Sequence, residues 1–388
     1  MSKHINLKKK DSDVIGTLIG NAGLDKDIEA TTTEHPELVQ YYATDWDFML
    51  NRAEVNGLIV LVDDGKVTVQ KPAVSTSPAL VITYGDEIQE IHAEMDARPQ
   101  LPSVTGTAWD FATQKPVTGA SEEPIVNTQG NLDGKTLAKV LGVSGFDLQT
   151  PAPVPAAMLK TWANVQLLKS RLARIRGEVT FQGNAIPKPG TTIKLAGLGA
   201  RFNGNAFISG VFHHMERGEW TTQVSFGLSP QWFTEEQFDI EAPLTSGLLP
   251  GIQGLQIGKV KKIHEDPDGE NRIQVDVPMI TPSGDGVWTR LATFYATNQA
   301  GAFFMPEVDD EVILGFLNED PRYPIILGSV YSSKRKAPYT PDNKNTTKAI
   351  YQLTALLQRT AAFARSNLPS KRPPPQTRFS HAACRPTH

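Results

Sequence analysis

A series of short apolar runs between Gly254 and Tyr331 limits what this chain can fold into more than any other feature. Turn-forming sequence closes each run; one example is the polar connection His264–Glu270, which separates the alternating segments Gln256–Val260 and Arg272–Val277. Alternation of apolar and polar residues with a period of two is typical of strands that bury one face. No cluster of His or Cys interrupts the series. The segment therefore predicts a small closed β-barrel with a structural rather than a catalytic role.

The composition is that of a soluble globular protein. The chain has 388 residues, enough for two or three domains, and 39% of them are hydrophobic and 21% charged. A net charge of −4 does not favour nucleic acid or anionic membranes. No apolar run approaches the roughly 18 residues needed to span a bilayer, and the N-terminus lacks a secretory signal. A single cysteine, Cys384, excludes a disulfide framework and a multi-cysteine metal site, which favours synthesis in the reducing cytoplasm.

Upstream of the barrel, helices and strands alternate. Apolar spacing predicts a first helix over Asp11–Gly23, capped by Asp11 or Ser12. A second helix begins at Thr44, because Asp47 stands at the third helical position as in a capping box. Its apolar stripe is predicted to be buried and consists of Trp46, Met49, Leu50 and Ala53. Further predicted elements are the Asp63–Gly65 hairpin turn, the alternating β-like segment Ile88–Asp96, the Ala156–Arg174 helix and the strands Arg176–Gln182, Thr192–Leu195, Phe202–His213 and Glu219–Leu228. The predicted fold class is mainly β with some helices (α+β).

Two glycine-rich segments invite a nucleotide interpretation. Gly130–Thr136 resembles a phosphate-binding P-loop, but three residues separate its glycines where the motif needs four, so a polar loop is the better interpretation. Gly197–Gly199 starts like a dinucleotide fingerprint, but Phe202 stands where the third glycine belongs. A turn between strands explains it better.

Other polar groups also lack the pattern of a site. His213 and His214 are neighbours on a strand, so their side chains point to opposite faces and cannot share a metal ion. The acidic loop Glu265–Glu270 lacks the order of calcium ligands. Glu122–Glu123 and Asp309–Asp310 are paired carboxylates in turn-like settings, and no local feature supports a glycosidase dyad. We therefore predict no catalytic residue, no cofactor-binding residue and no metal ligand.

A basic patch on the barrel leaves one binding alternative open. Lys259, Lys261 and Lys262 lie near each other in sequence, and the aromatic residues Phe294, Tyr295, Phe303 and Phe304 are available for stacking on bases. Small barrels bind single-stranded nucleic acid with such residues. The many carboxylates of the same segment disfavour this interpretation.

The Gly254–Tyr331 segment resembles the OB-fold base domain of the VgrG and phage-spike family. The residues that carry the resemblance are GLQIGKVKKI, RIQVDVPMI, VWTRLATFYA, KNTTKAI and, most specifically, MPEVDDEVILGFLNEDPRYPIILGSVY. Upstream, Asp11–Val69 and Ile175–Pro230 resemble the second half of the family's tail-hub domain. Both regions match in the family's order, over roughly residues 5–350.

This resemblance implies a structural protein at the tip of a contractile injection machine: a type VI secretion system, a phage-like particle or a phage tail. Family members are homotrimers whose hub domains form a ring on the tail tube, followed by OB domains and a β-helix spike. The implied partners are further copies of the chain, tail-tube and baseplate proteins, a spike-tip protein and effector cargo, without nucleic acid or stable membrane insertion. Such a protein is made in the cytoplasm, assembled into an injection particle or virion tail, and delivered outside the cell in some systems. The contracting sheath supplies the work, so no enzymatic activity and no cofactor are expected.

The resemblance also sets the expected domains. These are a partial tail-hub domain of β-barrel type (1–240), a linker (241–252), an OB-fold spike base (253–335), a neck toward a β-helix (336–350) and a disordered Arg/Pro-rich tail (351–388).

The sequence departs from the family at both ends. Only MSKHINLKKK precedes the first helix, where the family has a further β-rich half, and this predicts an incomplete ring. After Ile350 the family continues into β-helix sequence, whereas this tail contains no Asp or Glu. We therefore hypothesise that residues 351–388 are out-of-frame sequence. The alternatives to a hub-and-spike component are a spike-associated cell-wall hydrolase and a single-strand-binding OB protein.

Overall fold

The computed structural model describes residues 2–74, 77–237, 240, 243–278, 286–344 and 347–348, so the tail predicted for 351–388 lies outside the described residues. The chain divides into two compact units, Met1–Gly247 and Leu248–His388. The α-helices are α1 (Asp11–Asn21), α2 (Asp45–Glu54), α3 (Gly134–Ala138), α4 (Ala156–Leu172) and α5 (Phe233–Glu236).

The strands of the first unit are β1 (Ser2–Lys10), β2 (Asp25–Ile28), β3 (Glu34–Ala43), β4 (Ile59–Asp63), β5 (Lys66–Gln70), β6 (Leu80–Thr83), β7 (Ile88–Met95), β8 (Val104–Asp110), β9 (Lys115–Ala120), β10 (Phe146–Thr150), β11 (Ile175–Gln182), β12 (Thr192–Ala196), β13 (Gly204–Glu216) and β14 (Glu219–Phe226). Those of the second unit are β15 (Gln256–Lys262), β16 (Ile273–Asp276), β17 (Val287–Leu291), β18 (Ala296–Thr297), β19 (Ala300–Gly301), β20 (Glu311–Phe316) and β21 (Pro324–Ser329). The predicted mainly β fold with some helices is confirmed.

Six strands form the main sheet of the first unit, in the order β6-β12-β13-β14-β11-β7. β6 runs parallel to β12, and the other neighbours are antiparallel. All six strands contribute to one apolar core: Ile82, Ile88, Ile175, Val179, Phe181, Ile193, Leu195, Ala206, Ile208, Val224 and Phe226. β12 borders only the first part of β13, and no described strand borders residues 209–216 on that side.

Helix α4 packs against the three-stranded sheet β10-β8-β9, and two glycines of the sheet lie directly beneath the helix. Gly106 of β8 and Gly119 of β9 are directly paired in the antiparallel register. A Cβ atom on Gly119 would lie 2.4 Å from the backbone nitrogen of Lys160, and one on Gly106 would lie 3.0 Å from the carbonyl oxygen of Leu159. The absence of side chains at this pair therefore lets the helix backbone rest directly on the sheet.

The N-terminal part of the first unit contains a second, smaller sheet with its own apolar core. α1 and α2 pack on the sheet β2-β5-β4, with a core of Ile15, Ile19, Met49, Ala53, Leu58, Val67 and Val69. The Thr44 side chain caps α2 by accepting the Asp47 N–H at 3.0 Å, as predicted. The predicted burial of Trp46 is wrong, because this residue is 46% exposed. The predicted cap of α1 is also wrong: Lys10 is the N-cap residue, and Asp11 is buried inside the first turn.

A closed five-stranded barrel, β15-β16-β17-β21-β20, forms the core of the second unit. Its interior contains Val260, Ile273, Val275, Val277, Val312, Leu314 and Ile326. Gly258 makes room for them, since a Cβ there would lie 2.4 Å from Cγ1 of Val275. The barrel predicted from the apolar runs is confirmed. Because closure pairs every barrel strand on both sides, the barrel as described has no long free strand edge.

Candidate assembly surfaces

The P-loop-like segment contains a helix start that is capped by a side chain of its own. Asp133 caps α3 by accepting the Thr136 N–H at 2.7 Å, and hydrogen bonds from the Thr136 hydroxyl and N–H lower the pKa of Asp133. A Cβ on Gly130 would lie 2.4 Å from the carbonyl oxygen of Arg201, so its surroundings are filled by protein. The glycines Gly197 and Gly199 form the turn between β12 and β13, both with positive φ. Neither segment has the strand–loop–helix surroundings that phosphate binding requires.

The adjacent histidines have separate partners. The His213 ring shares a hydrogen bond with the Thr222 hydroxyl at 3.0 Å and packs 5.8 Å from the Trp220 ring. His214 instead lies 3.4 Å from the Glu216 carboxylate. Among the described residues, no group of three or more His, Cys, Asp or Glu side chains is arranged to hold a metal ion.

The acidic loop of the barrel folds around one carboxylate. Asp266 accepts the backbone N–H groups of Asp268, Glu270 and Arg272 and pairs with the Arg272 guanidinium at 2.6 Å. Hydrogen bonds from the Arg272 side chain hold the pKa of Asp266 far below its usual range. The Asp266 oxygens that a calcium ion would need are therefore occupied by donors of the loop itself.

The remaining predicted charges are also paired. Lys259 Nζ lies 2.6 Å from Asp309, and Lys262 pairs with Glu265. Glu122 pairs with Lys160 at 2.6 Å, and Glu123 pairs with Arg171 at 2.7 Å. These contacts disfavour both the nucleic-acid patch and the carboxylate dyad, because the side chains concerned already have partners within the unit.

One polar cluster of the first unit was not predicted from the sequence. The buried Asp11 carboxylate, 2% exposed, accepts Arg52 Nε at 2.7 Å and Asn56 Nδ2 at 2.9 Å, and His35 Nε2 lies 2.9 Å away. Burial alone raises the pKa of Asp11, but the Arg52 guanidinium, with His35 and Asn56, outweighs burial and lowers it. The cluster ties β3 to α1 and α2, which is a structural role.

An exposed aromatic hairpin is the most conspicuous surface of the second unit. Strands β18 and β19 form its tip, and residues 291–306 carry no charged side chain. The rings of Phe294 and Phe304 stack with centroids 6.4 Å apart, although the two residues are 85% and 59% exposed. Tyr295 and Phe303 are 56% and 79% exposed. Contiguous apolar surface of this kind marks interaction sites in soluble proteins.

Two family models match the chain, one on each unit. Residues 2–217, more than half of the chain, match the family described as the Alg8 N-terminal domain. Residues 256–331 match the type VI secretion system/phage-baseplate injector OB domain, and these residues include every strand of the closed barrel. The chain belongs to the VgrG and phage-baseplate hub-and-spike family, with an Alg8-type N-terminal domain.

Curated relatives of this family match mainly through the barrel. The type VI secretion system spike protein VgrG3 of Vibrio cholerae is 39% identical over 85 residues, which are 21% of this chain and 8% of the relative. The spike protein VgrG5 of Pseudomonas aeruginosa is 30% identical over 111 residues, which are 26% of this chain and 14% of the relative. The chain thus matches only a small part of the length of these VgrG relatives.

Solved tail proteins resemble the chain more loosely. A tail protein from Neisseria meningitidis has 15% identity and a TM-score of 0.44, over 59% of this chain and 70% of that one. An E. coli type VI secretion component has 12% identity and a TM-score of 0.35, over 84% and 73%. Both scores lie below 0.5, so these similarities carry no weight for function. Within the described residues of this VgrG-family chain, no helix is long and apolar enough to cross a membrane.

Proposed function

We propose that this chain is a structural hub and spike-base component at the tip of a contractile injection machine, where it joins a tail tube to a puncturing spike. One observation carries the proposal: residues 256–331 match the injector OB domain and fold as a closed barrel. Residues 1–240 are then the hub domain, 241–252 the linker, 253–335 the spike base and 336–350 the neck. Assembly into an injection particle or virion tail follows from this role.

The proposed partners are two further copies of the chain, tail-tube and baseplate proteins, a spike-tip protein and effector cargo. A cyclic trimer joins each copy to the next through interfaces that close on themselves. We further propose that the chain is not an enzyme. The ion pairs of Glu122, Glu123 and Asp309 support this, as do the spike-protein names of the two relatives.

The first prediction concerns native mass. In solution the full chain is expected to run at three times its 42.4 kDa mass in size-exclusion chromatography with light scattering. Co-sedimentation with a tail-tube protein of the same injection system tests the hub role separately. A single-chain mass at every protein concentration, together with no tube binding, would contradict the proposed function.

The second prediction concerns nucleic acid. The fluorescence anisotropy of a labelled single-stranded oligonucleotide should not change when the chain is added at low ionic strength, because Lys259 and Lys262 are paired with carboxylates. A known single-strand-binding OB protein serves as the positive control. Binding that weakens steeply with added salt would favour the nucleic-acid alternative instead.

A further inference from the structure

The aromatic hairpin of the second unit is a preformed arm. It leaves the barrel after β17, where the Ala292 N–H donates to the Ile326 carbonyl at 2.9 Å. The Ala302 N–H donates to the Tyr295 carbonyl at 2.8 Å, and the Thr293 hydroxyl donates to the Ala302 carbonyl at 3.1 Å. These bonds hold the four aromatic residues in place without a partner. A surface ordered in advance loses little conformational entropy when it binds.

The exposed area of the arm is large enough to supply a substantial part of a contact between copies. Its four aromatic residues are on average about 70% exposed, which corresponds to roughly 500 Å² of surface if each offers about 200 Å². Three such arms meeting at a three-fold axis would together bury up to about 1,500 Å², which is about 500 Å² for each pair of neighbouring copies. The arm therefore supplies about half of the area expected for the smallest specific interface.

The chemistry of the arm favours a second copy of the same arm. Residues 291–306 carry no charge, so identical arms brought together at a symmetry axis do not repel. Every strand of the closed barrel is paired on both sides, so the described barrel wall meets other surfaces through its side chains. Flat aromatic rings also pack well on one another in offset or edge-to-face geometry.

We propose that the hairpin of residues 292–305 is the contact between second units of neighbouring copies, with equivalent arms meeting at the rotation axis. This inference rests on the proposed homotrimeric hub-and-spike function and specifies which surface of the second unit makes the contact. Phe294 and Phe303, the most exposed of the four aromatic residues, lie at the centre of this contact.

Charge insertion into the arm tests the proposal. In the full chain, Phe294→Asp places like charges together at the axis, and association should weaken at least tenfold in analytical ultracentrifugation. Phe294→Lys should act the same way. The matched control is Tyr331→Asp, on a residue 70% exposed in the same unit but off the hairpin, which should leave association unchanged. Far-UV circular dichroism checks that each variant is folded.

Mixing the two charged variants identifies the contacting surface. If equivalent arms meet, Phe294→Asp and Phe294→Lys chains mixed together should regain an oligomer that neither forms alone. Variants that weaken association without recovery on mixing would place the arm against a different surface and overturn the proposal. Variants that stay oligomeric would overturn it while leaving the proposed function standing, whereas a monomeric wild-type chain that also fails to bind the tube protein would overturn both. A labelled oligonucleotide that binds wild type and not Phe294→Asp would assign the arm to nucleic acid and overturn it too.

Discussion

Replacing Asp11 by alanine is expected to lower the free energy of unfolding of the first unit by about 3 kcal/mol, because the Arg52 side chain, only 15% exposed, is left without its partner. Asn56 and His35 lose an acceptor in the same change. The measurement is urea unfolding followed by circular dichroism. Glu122→Gln is the control, since its ion pair with Lys160 lies on the surface and is worth about 0–1 kcal/mol. Equal effects of the two substitutions would contradict the structural role of the cluster.

The same carboxylate gives this stability a pH dependence. The pKa of Asp11 is lowered in the folded chain, so its contribution is fully present above its unfolded-state pKa of about 3.9 and is lost as the pH falls through the folded value. Wild type should therefore lose more stability than Asp11→Ala when both are acidified below about pH 4. Parallel pH profiles would mean that Asp11 is not the group that titrates.

Gly119→Val is expected to destabilise the first unit by about 3 kcal/mol, since overpacking a filled interior forces the backbone to move. The new Cβ would lie 2.4 Å from the Lys160 nitrogen and 2.9 Å from the Ala156 carbonyl oxygen, and both atoms belong to helix backbone that cannot rotate away. Thermal unfolding measures the loss. Gly210→Val is the control, because a Cβ on this strand glycine meets nothing closer than 3.7 Å. A Gly119 variant as stable as the control would show that the α4 backbone does not pack directly against the sheet at Gly119.

The spacing of apolar and capping residues predicted those helices and strands that are determined by residues close together in the sequence. The helix predicted over Ala156–Arg174 is α4, Ala156–Leu172, because its apolar residues recur at helical spacing over several turns. The Thr44 cap and the barrel strands followed in the same way. Trp46 shows the limit of this reasoning: helical spacing places it on a face, but only the tertiary fold decides whether another element covers that face.

Contacts between distant residues could not be predicted. Asp11 meets partners 24 to 45 residues away, and no spacing rule connects them. Glycine in a strand suggests the close approach of another backbone, but the sequence does not say that α4 is the element approaching Gly119. The aromatic residues of the hairpin were noticed from the sequence, yet their exposure became evident only when β18 and β19 placed them outside the barrel interior.

The open side of β13 and the closed barrel have different consequences for partner choice. Residues 209–216 present backbone groups to one side, and backbone pairing accepts almost any strand sequence, so this edge discriminates poorly among neighbours. The barrel can be recognised only through its side chains, and single substitutions there are enough to change which surface fits. Substitutions in the second unit can thus change the partner preference of related chains, while the strand edge of the first unit continues to accept many strand sequences.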